Sequence, residues 1–491
     1  MSSITYECVI GLEVHVELAT QSKLFCGCAN RFGGAPNTQV CPVCMGLPGV
    51  LPVVNRRAIE LHVEAALALG CNVPRLSKFD RKNYFYPDMP KNFQTSQFDL
   101  PLAVQGQLAV GSSRTIGIHR IHLEEDTGKS VHYRTVNGKV VPDRLASSEF
   151  SLVDYNRAGV PLLEIVSEPE IQSAQEASDY LEGLREILVW LGISDCRMEE
   201  GSMRCDANVS IRPVGTTPLG TKAEIKNMNS LKSVRAAIDY EIQRQTEVLN
   251  RGERVIQETR GWDEARGITI SMRSKEEAHD YRYFPEPDLP PLELDPVWVE
   301  SLRANLPELP RQCHRRYVEK LGLSDYDAAL VVASRAFSEF FDQVCVLGGD
   351  PKEVANWLGN EVSRSLQEKC LELSQTRLKP EALAQLLELV RSGAVNHKGG
   401  RQVLGHLLEF GGDPAQVVQQ LGLVQISDSG ELDRIIRAIL DKNPVAVAEV
   451  KAGKQKAMNV LVGQVMKETK GRANPGEVNR LLDAALRETG D

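Results

Sequence analysis

The sequence predicts an α+β protein: an N-terminal cradle domain with a large antiparallel sheet and flanking helices, then an all-α helical domain and an α-helical tail. Strand-like and helical patterns are mixed before residue 285, and helical patterns prevail after residue 310. The segment between them, 285–310, holds seven of the 25 prolines, so we expect a connector without an ordinary helix. The predicted domains are residues 1–290, 291–410 and 411–491.

The first predicted strand is GLEVHVELAT, residues 11–20. Apolar side chains alternate with Glu13, His15 and Glu17, and successive side chains of a strand point to opposite faces. One face is therefore expected in the core. The other face, with two carboxylates around an imidazole, is either solvated or holds a metal. This stretch alone favours the solvated face, because half-buried strands normally show this alternation.

Further elements follow from local patterns. SMRCDANVSI and GIHRIHLEED are predicted to be strands, and a helix is expected from Asn55 to near Gly70. In SAQEASDYLEGLREILVWLG, Ser173 and Glu176 form a capping box and Gly192 ends the helix. Later, KPEALAQLLELVRSG and NPGEVNRLLDAALRE are helices with proline in the first turn, and the glycine pair after Phe410 predicts a break between two helical modules.

Composition restricts the class of protein. Charged residues make up 25% and hydrophobic residues 42%, with no apolar run long enough for a transmembrane helix and no signal-peptide pattern. We therefore expect a cytoplasmic protein without membrane partners, whose eleven cysteines are reduced or metal-bound. The net charge of −9 argues against indiscriminate nucleic-acid binding, although residues 451–491 carry eight Lys/Arg against five Asp/Glu.

The cysteine spacing is the most specific local signal. Cys26 and Cys28 form one close pair, and Cys41 and Cys44 form another, separated by a loop rich in Gly, Pro and Asn. Four thiolates at this spacing are typical of a structural zinc site, because they leave no coordination position for water. We expect this site in the loop 24–46. The alternative is four unlinked thiols.

The segment HLEEDTGKS ends like a phosphate-binding loop, but the glycine required five residues before Gly128 is Leu123. Glu124, Glu125 and Asp126 follow instead, and they would repel a phosphate unless a cation lay between them. An ordinary nucleotide-binding loop is therefore rejected, and a metal-bridged phosphate becomes possible.

Several polar side chains lie on otherwise apolar strands. Glu164 sits within VPLLEIV and must have a cation, a metal or donors near it; an ion pair with Arg157 is as reasonable as a functional role. Carboxylates, one imidazole and amides together suit Mg²⁺ or Mn²⁺ and favour electrostatic chemistry on an anion. The other candidates are Ser202, Arg204, Asp206, Asn208, Glu224, Lys226, Asn227, Arg273, Tyr281 and Arg282.

These segments resemble one family closely, the B-subunit family of aspartyl/glutamyl-tRNA(Asn/Gln) amidotransferases (GatB). The resemblance runs nearly end to end, through GLEVHVEL, KFDRKNYFYPD, HLEEDTGKS, DYNRAGVPLLEIVSEP, GSMRCDANVSIRP, EIKNMNS, QETRGWDE, DYRYFPEPDL and GKQKAMNVLVGQVMKETKGRANP. The departures are Gln455 in the tail motif and the four-cysteine cluster, which some family members lack. That variability favours a structural zinc over a catalytic one.

The resemblance implies an ATP- and Mg²⁺-dependent, kinase-like cradle that phosphorylates the side-chain carboxylate of Glu-tRNA(Gln) or Asp-tRNA(Asn). Ammonia from a partner amidase would attack the acyl phosphate, and a third, small protein would complete a heterotrimer. The tail, similar to YqeY, would bind tRNA. A metal-dependent hydrolase and a non-catalytic tRNA-docking scaffold are the alternatives.

The resemblance also distributes roles among the candidates. The catalytic residues would be Glu13, His15, Glu124, Glu125, Asp206 and Lys226. Of these, Glu13, His15, Glu124 and Glu125 would hold Mg²⁺. ATP and substrate would be bound by Arg157, Glu164, Ser202, Arg204, Asn208, Glu224, Asn227, Arg273, Tyr281 and Arg282, and tRNA by Lys456, Lys467 and Lys470.

Overall fold

The computed structural model describes residues 5–111, 114–142, 147–274, 278–424, 429–451, 455–469 and 473–488. They form two compact units, 1–309 and 310–491. The strands are β1 (Tyr6–Glu17), β2 (Leu76–Ser77), β3 (Asp80–Asn83), β4 (Phe93–Ser96), β5 (Ala103–Val110), β6 (Arg114–Glu125), β7 (Lys129–Val136), β8 (Lys139–Pro142), β9 (Phe150–Asp154), β10 (Pro161–Ser167), β11 (Met203–Pro213), β12 (Ala223–Lys226), β13 (Glu258–Asp263), β14 (Ile268–Ser274), β15 (Phe284–Pro285) and β16 (Leu292–Glu293).

The helices of the first unit are α1 (Arg56–Ala68), α2 (Ala174–Trp190), α3 (Leu231–Asn250) and α4 (Pro296–Ala304). Those of the second are α5 (Pro310–Leu321), α6 (Asp325–Val331), α7 (Arg335–Val346), α8 (Pro351–Asn356), α9 (Ser363–Lys369), α10 (Pro380–Arg391), α11 (His397–Phe410), α12 (Pro414–Gln420), α13 (Ser429–Lys442), α14 (Pro444–Lys451), α15 (Gln455–Glu468) and α16 (Pro475–Glu488). Among the described residues, no helix is both long and apolar enough to cross a membrane.

The first unit is built on one large sheet. Within the described residues it has eight strands in the order β14-β13-β12-β11-β1-β10-β6-β5, all antiparallel neighbours except the parallel pair β12 and β13. The predicted large antiparallel sheet is therefore confirmed, with one parallel exception. Small sheets β15-β3-β4, β16-β2 and β8-β7-β9 accompany it.

The alternation in β1 decides which face of the sheet is covered. Leu12, Val14 and Val16 are at most 1% exposed and join the core formed with the helices, whereas Glu13 and His15 point to the other face. Helix α1 packs on β6, α2 on β5 and α3 on β11. With these helices on the apolar face, the polar face is left to build a site.

The predicted helix boundaries are close to the observed ones. Ser173 caps α2 by accepting a hydrogen bond from the Glu176 backbone N–H at 3.0 Å, and Asn55 caps α1 from the Arg57 N–H at 2.9 Å. Helices α10 and α16 both begin at a proline, as expected, because proline lacks only a donor that the first helical turn leaves unpaired.

Two expectations about the chain's organisation are corrected. The proline-rich segment contains an ordinary helix, α4, because Pro296 occupies its first turn and no proline interrupts it. Trp298, Val299 and Leu302 of α4 pack on the core of the first unit, so residues 291–309 belong with that unit.

The glycine pair at 411–412 ends α11 but does not separate two modules, since α12 packs on both α10 and α11. The later helices α13, α15 and α16 form a core of their own, to which α13 contributes Ile436, α15 contributes Leu461 and α16 contributes Leu482.

Candidate functional site

A cavity of about 610 Å³ lies over the polar face of the large sheet. Antiparallel register brings its side chains together: His15 of β1 is opposite Glu164 of β10, and Glu164 is opposite His122 of β6. On the other side of β1, Glu13 is opposite Asp206 of β11. Strands β1, β6 and β10 contribute every second residue to the cavity, because side chains alternate along a strand.

The first group of potential metal ligands is His15, Glu124 and Glu164, whose ligand atoms lie within 4.8 Å of one another. His15 Nε2 is 3.5 Å from Glu164 Oε2 and 4.0 Å from Glu124 Oε1. His122 Nε2 is 3.0 Å from the same Glu164 oxygen, and the Ser96 hydroxyl donates to Glu124 Oε2 at 2.9 Å. These contacts hold the carboxylates of Glu164 and Glu124 in position.

The charges of this group depend on one another. Burial alone would lower the pKa of His122, but the charges of Glu164 and Glu124 and their hydrogen bonds raise it to about 9. Burial also opposes ionisation of Glu164, yet the charges of His122 and His15 bring its pKa well below the usual range. The pKa of Glu124 is lowered as well, against the effect of burial, by its hydrogen bond with His122. Both carboxylates are therefore ionised at neutral pH, as metal ligands must be.

The second group, Glu13, Asp206 and Glu224, also has its ligand atoms within 4.8 Å. The Asn208 side-chain amide donates to Glu13 Oε1 at 2.8 Å, and the Thr259 hydroxyl donates to Glu224 Oε2 at 2.8 Å. Lys226 Nζ is 2.5 Å from Asp206 Oδ2. Burial lowers and the Asp206 charge raises the pKa of Lys226, and the net direction is upward, so this ammonium stays charged.

The donor sets of both groups fit a divalent cation. Carboxylate oxygens with one imidazole are the ligands that Mg²⁺ and Mn²⁺ accept. The sequence-based expectation had placed Glu13 and His15 in a single metal site, but the structure distributes them between the two groups. The reason is the register: the carboxylate opposite Glu13 is Asp206 of β11, whereas the carboxylate opposite His15 is Glu164 of β10.

The structure corrects the expected role of Glu125 as an Mg²⁺ ligand. It follows Glu124 on β6 and therefore points to the opposite side, away from the cavity. There it pairs with Lys91 and accepts a hydrogen bond from the Thr95 backbone N–H at 2.8 Å. We remove it from the expected Mg²⁺ ligands.

The remaining predicted residues divide into two sets. Arg204, Asn227 and Tyr281 line the cavity, and Arg204 pairs with Asp126 at 2.5 Å. Arg157, Ser202, Asn208 and Arg282 do not line it, and the side chain of Arg273 lies outside the described residues.

Arg157 does not pair with Glu164 as the sequence allowed, because its guanidinium donates to the carbonyls of Thr127 and Gly128 at 3.0 Å each. Ser202 is held in a turn, where its hydroxyl accepts from the Arg197 N–H at 2.8 Å.

Sequence reasoning missed several cavity residues. Arg120, His122 and Asp126 share the face of Glu124, and the same two-residue period used for β1 could have identified them. Asp126 has its pKa lowered to about 2; burial opposes this shift, and the charges of Arg204 and Arg157 cause it. The two-residue period could not have identified Lys82 and Tyr84, because they reach the cavity from a short neighbouring sheet and not from a strand of the large sheet.

The stretch Gly128-Lys129-Ser130 does not form a phosphate loop. The Gly128 backbone N–H donates to the Asp88 carbonyl at 2.8 Å, and β7 begins at the next residue. A Cβ at Gly128 would lie about 3.0 Å from Tyr155 and Asp154 atoms, so close chain packing requires the glycine.

The four cysteines of the predicted zinc site come together. Their sulfurs lie within 4.8 Å of one another, and Cys44 Sγ accepts from the Cys41 N–H at 3.2 Å. The hydrogen bond from Cys26 lowers the pKa of the Cys44 thiol to about 4. This donor set fits tetrahedral zinc, and none of the four cysteines lines the 610 Å³ cavity.

In the tail, Lys456 and Lys467 are exposed, whereas Lys470 lies outside the described residues. Lys467 borders a groove of about 480 Å³ between α13 and α15, with Arg434 and Lys442 on the opposite wall. Glu468 also lines the groove, so three cations face one carboxylate, and this net positive charge is compatible with a polyanion.

Two protein families and several curated proteins match this chain over most of its length. Residues 8–300 match the GatB/GatE catalytic domain family, and residues 339–486 match the GatB domain family. The B subunit of the aspartyl/glutamyl-tRNA(Asn/Gln) amidotransferase of Carboxydothermus hydrogenoformans is 54% identical over 480 residues, covering 97% of this chain and 98% of the relative. The protein of the same description from Moorella thermoacetica is 53% identical over 484 residues, covering 98% and 100%.

Proposed function

Because this chain belongs to the GatB family of tRNA-dependent amidotransferase subunits, we propose that its cradle activates the side-chain carboxylate of Glu-tRNA(Gln) or Asp-tRNA(Asn) with ATP. The activated group is then amidated with ammonia from a glutaminase partner. The products are Gln-tRNA(Gln) and Asn-tRNA(Asn), and the reaction is a ligation that forms a carbon–nitrogen bond.

The observation that carries the proposal is the pairing of two metal-ligand groups in one cavity bordered by cations. His15, Glu124 and Glu164 form one group, and Glu13, Asp206 and Glu224 form the other. The cations Lys82, Arg204 and Lys226 line the same cavity. A site for phosphoryl transfer needs this combination, since acids alone would repel both ATP and a carboxylate substrate.

The chemistry has two steps. A carboxylate oxygen of the substrate attacks the γ-phosphorus of ATP, the bond to the ADP oxygen breaks, and an acyl phosphate forms. Ammonia then attacks the acyl carbon, phosphate leaves, and the nitrogen loses a proton to give the amide. Bound Mg²⁺ would neutralise the charge of the transferring phosphoryl group.

The chain's own residues position these groups. Lys82 and Lys226 stay charged, because burial fails to outweigh the carboxylate charges around them, and both ammonium groups line the cavity. Asn208, Thr259, His122 and Ser96 fix the carboxylate ligands by the contacts described above, which lowers the cost of organising the site during reaction.

The zinc site and the tail have separate roles in this proposal. Zn²⁺ on Cys26, Cys28, Cys41 and Cys44 would stabilise the loop, as four protein ligands leave no open position. Residues of the tail, Lys456 and Lys467 included, would contact the tRNA backbone. The partner amidase would supply ammonia and the third, small protein would hold the assembly, in the cytoplasm where charged tRNAs are used.

The deciding experiment combines the assembled complex with ATP, Mg²⁺ and Glu-tRNA(Gln). ATP cleavage that requires the charged tRNA, together with amide formation from glutamine, is the expected result. ATP cleavage without tRNA would favour a metal-dependent hydrolase. Normal tRNA binding and transamidation after Glu124→Gln and Asp206→Asn together would favour a docking scaffold.

A further inference from the structure

One wall of the cavity is aromatic, and the proposed metal chemistry does not use it. The rings of Phe98 and Tyr283 are stacked with their centroids 4.4 Å apart and their planes inclined by 13°. Both residues line the cavity, yet Phe98 remains 42% exposed. One end of the stack is therefore open, which leaves a flat apolar face beside a strongly charged site.

The stack is held rigidly. The Phe98 backbone N–H donates to Asp80 Oδ2 at 2.9 Å, and its carbonyl accepts from Arg120 at 3.0 Å. Asn83 donates to the Arg282 carbonyl at 2.9 Å and so ties the segment before Tyr283 to β3. Arg282 has a φ of +46°, a conformation unfavourable for a residue with a Cβ, which these contacts maintain.

The position of Arg120 relates the stack to the metal-ligand groups. Arg120, His122 and Glu124 point to the same face of β6. At a rise of about 3.3 Å per residue, the Cα atom of Arg120 is about 7 Å from that of His122 and about 13 Å from that of Glu124. The Arg120 guanidinium, which donates to the Phe98 carbonyl, therefore connects the stack to the strand that carries His122 and Glu124.

Resting on the proposed function, we propose that an adenine ring stacks on the open face of Phe98 and that Arg120 contacts the adjoining ribose or phosphate oxygens. Aromatic side chains bind nucleobases in this way because every base has a π-face. Both substrates contain adenosine, ATP itself and the 3′-terminal nucleotide of any charged tRNA. The shared ligand is adenosine, and the test separates its two sources.

The test uses the assembled complex with Phe98→Leu and, as the matched control, Phe98→Tyr. Leu keeps the apolar bulk but removes the aromatic face, whereas Tyr keeps both. Phe98→Leu should raise one Michaelis constant, for ATP or for Glu-tRNA(Gln), about tenfold, while Phe98→Tyr should stay within about twofold. Calorimetric titration with ADP and Mg²⁺ identifies the source: the Kd for ADP rises if the stack holds ATP and is unchanged if it holds the tRNA end.

A second variant, Arg120→Gln, keeps the proposal testable if Phe98→Leu fails to assemble. It should raise the same Michaelis constant. Unchanged constants for both substrates in Phe98→Leu or Arg120→Gln, or an equal rise in Phe98→Tyr and Phe98→Leu, would overturn the stacking. A wild-type complex that makes no amide from ATP would instead refute the proposed function, and the ADP titration would still report on the stack.

Discussion

Glu124 and Glu125 are consecutive in the chain but serve opposite sides of β6. Glu124 is 4.0 Å from His15 Nε2 in the cavity, whereas Glu125 pairs with Lys91 behind it. Both are 2% exposed, so burial does not distinguish them. The two residues differ only in the direction in which the side chain leaves the strand.

Glu124→Gln is expected to abolish tRNA-dependent ATP cleavage, since loss of a metal-ligand charge typically costs several kcal/mol of transition-state stabilisation. Glu125→Gln is the matched variant. It should retain ATP cleavage within about tenfold but lower the melting temperature, because Lys91, whose side chain is 12% exposed, loses its charged partner; breaking a buried ion pair in this way costs about 3–5 kcal/mol, which is an upper bound here. Equal loss of ATP cleavage in both variants would contradict the assignment by face.

The second metal-ligand group is tested by Asp206→Asn. This change removes a charge from the group and replaces the 2.5 Å ion pair of Lys226 with a neutral contact, leaving Glu224 at 3.5 Å as its charged partner. ATP cleavage should fall by at least about 100-fold. Glu199→Gln makes the same type of change at an exposed position before β11 and should leave the rate within about twofold. A rate in Asp206→Asn equal to that of the control would exclude this group from the reaction.

Replacement of Cys41 and Cys44 by Ser should release about one zinc per chain and lower the melting temperature. Catalysis in the folded fraction should persist, since the cluster does not line the cavity. Cys370→Ser, at an exposed cysteine of the second unit, should leave the zinc content unchanged. Elemental analysis that finds no zinc in metal-replete wild type would refute the site.

The structure changes the residue after which the tail should be truncated. Truncation after Phe410 would remove α12, which packs on α10 and α11, so the chain should end after Val424 instead. The truncated complex should show a higher Michaelis constant for charged tRNA with that for ATP nearly unchanged. Lys456→Ala and Lys467→Ala should each reduce the salt slope of tRNA binding by about 1. Equal affinity and equal slope in truncated and intact complexes would show that the tail does not bind tRNA.

His62 makes acid stability testable. Burial in the core lowers its pKa from 6.5 to about 3, so it stays neutral in the folded protein while the unfolded chain takes up a proton. Stability contributed by the neutral ring is present above pH 6.5 and is lost as the pH falls toward 3, by about 1.4 kcal/mol per pH unit at most. His62→Leu should therefore flatten the fall of the melting temperature over this range. His119→Leu, at an exposed histidine of β6, should not.

The sequence by itself determined which residues form each local element. The alternation of Leu12, Val14 and Val16 with Glu13 and His15, the Ser173 cap and the prolines opening α10 and α16 all depend on neighbours in the chain, and all agree with the structure. The cysteine spacing likewise predicted a cluster, because its ligands lie within one loop.

The tertiary structure decided which of these faces meet. Strand order places β1 between β10 and β11, and therefore sends His15 to Glu164 and Glu13 to Asp206. It also supplied Glu164 with His122 in place of Arg157, and brought Phe98 of one segment onto Tyr283 of another. Local periodicity cannot specify such partners, because pairing between distant strands is selected by burial of the whole apolar face and not by any single strand.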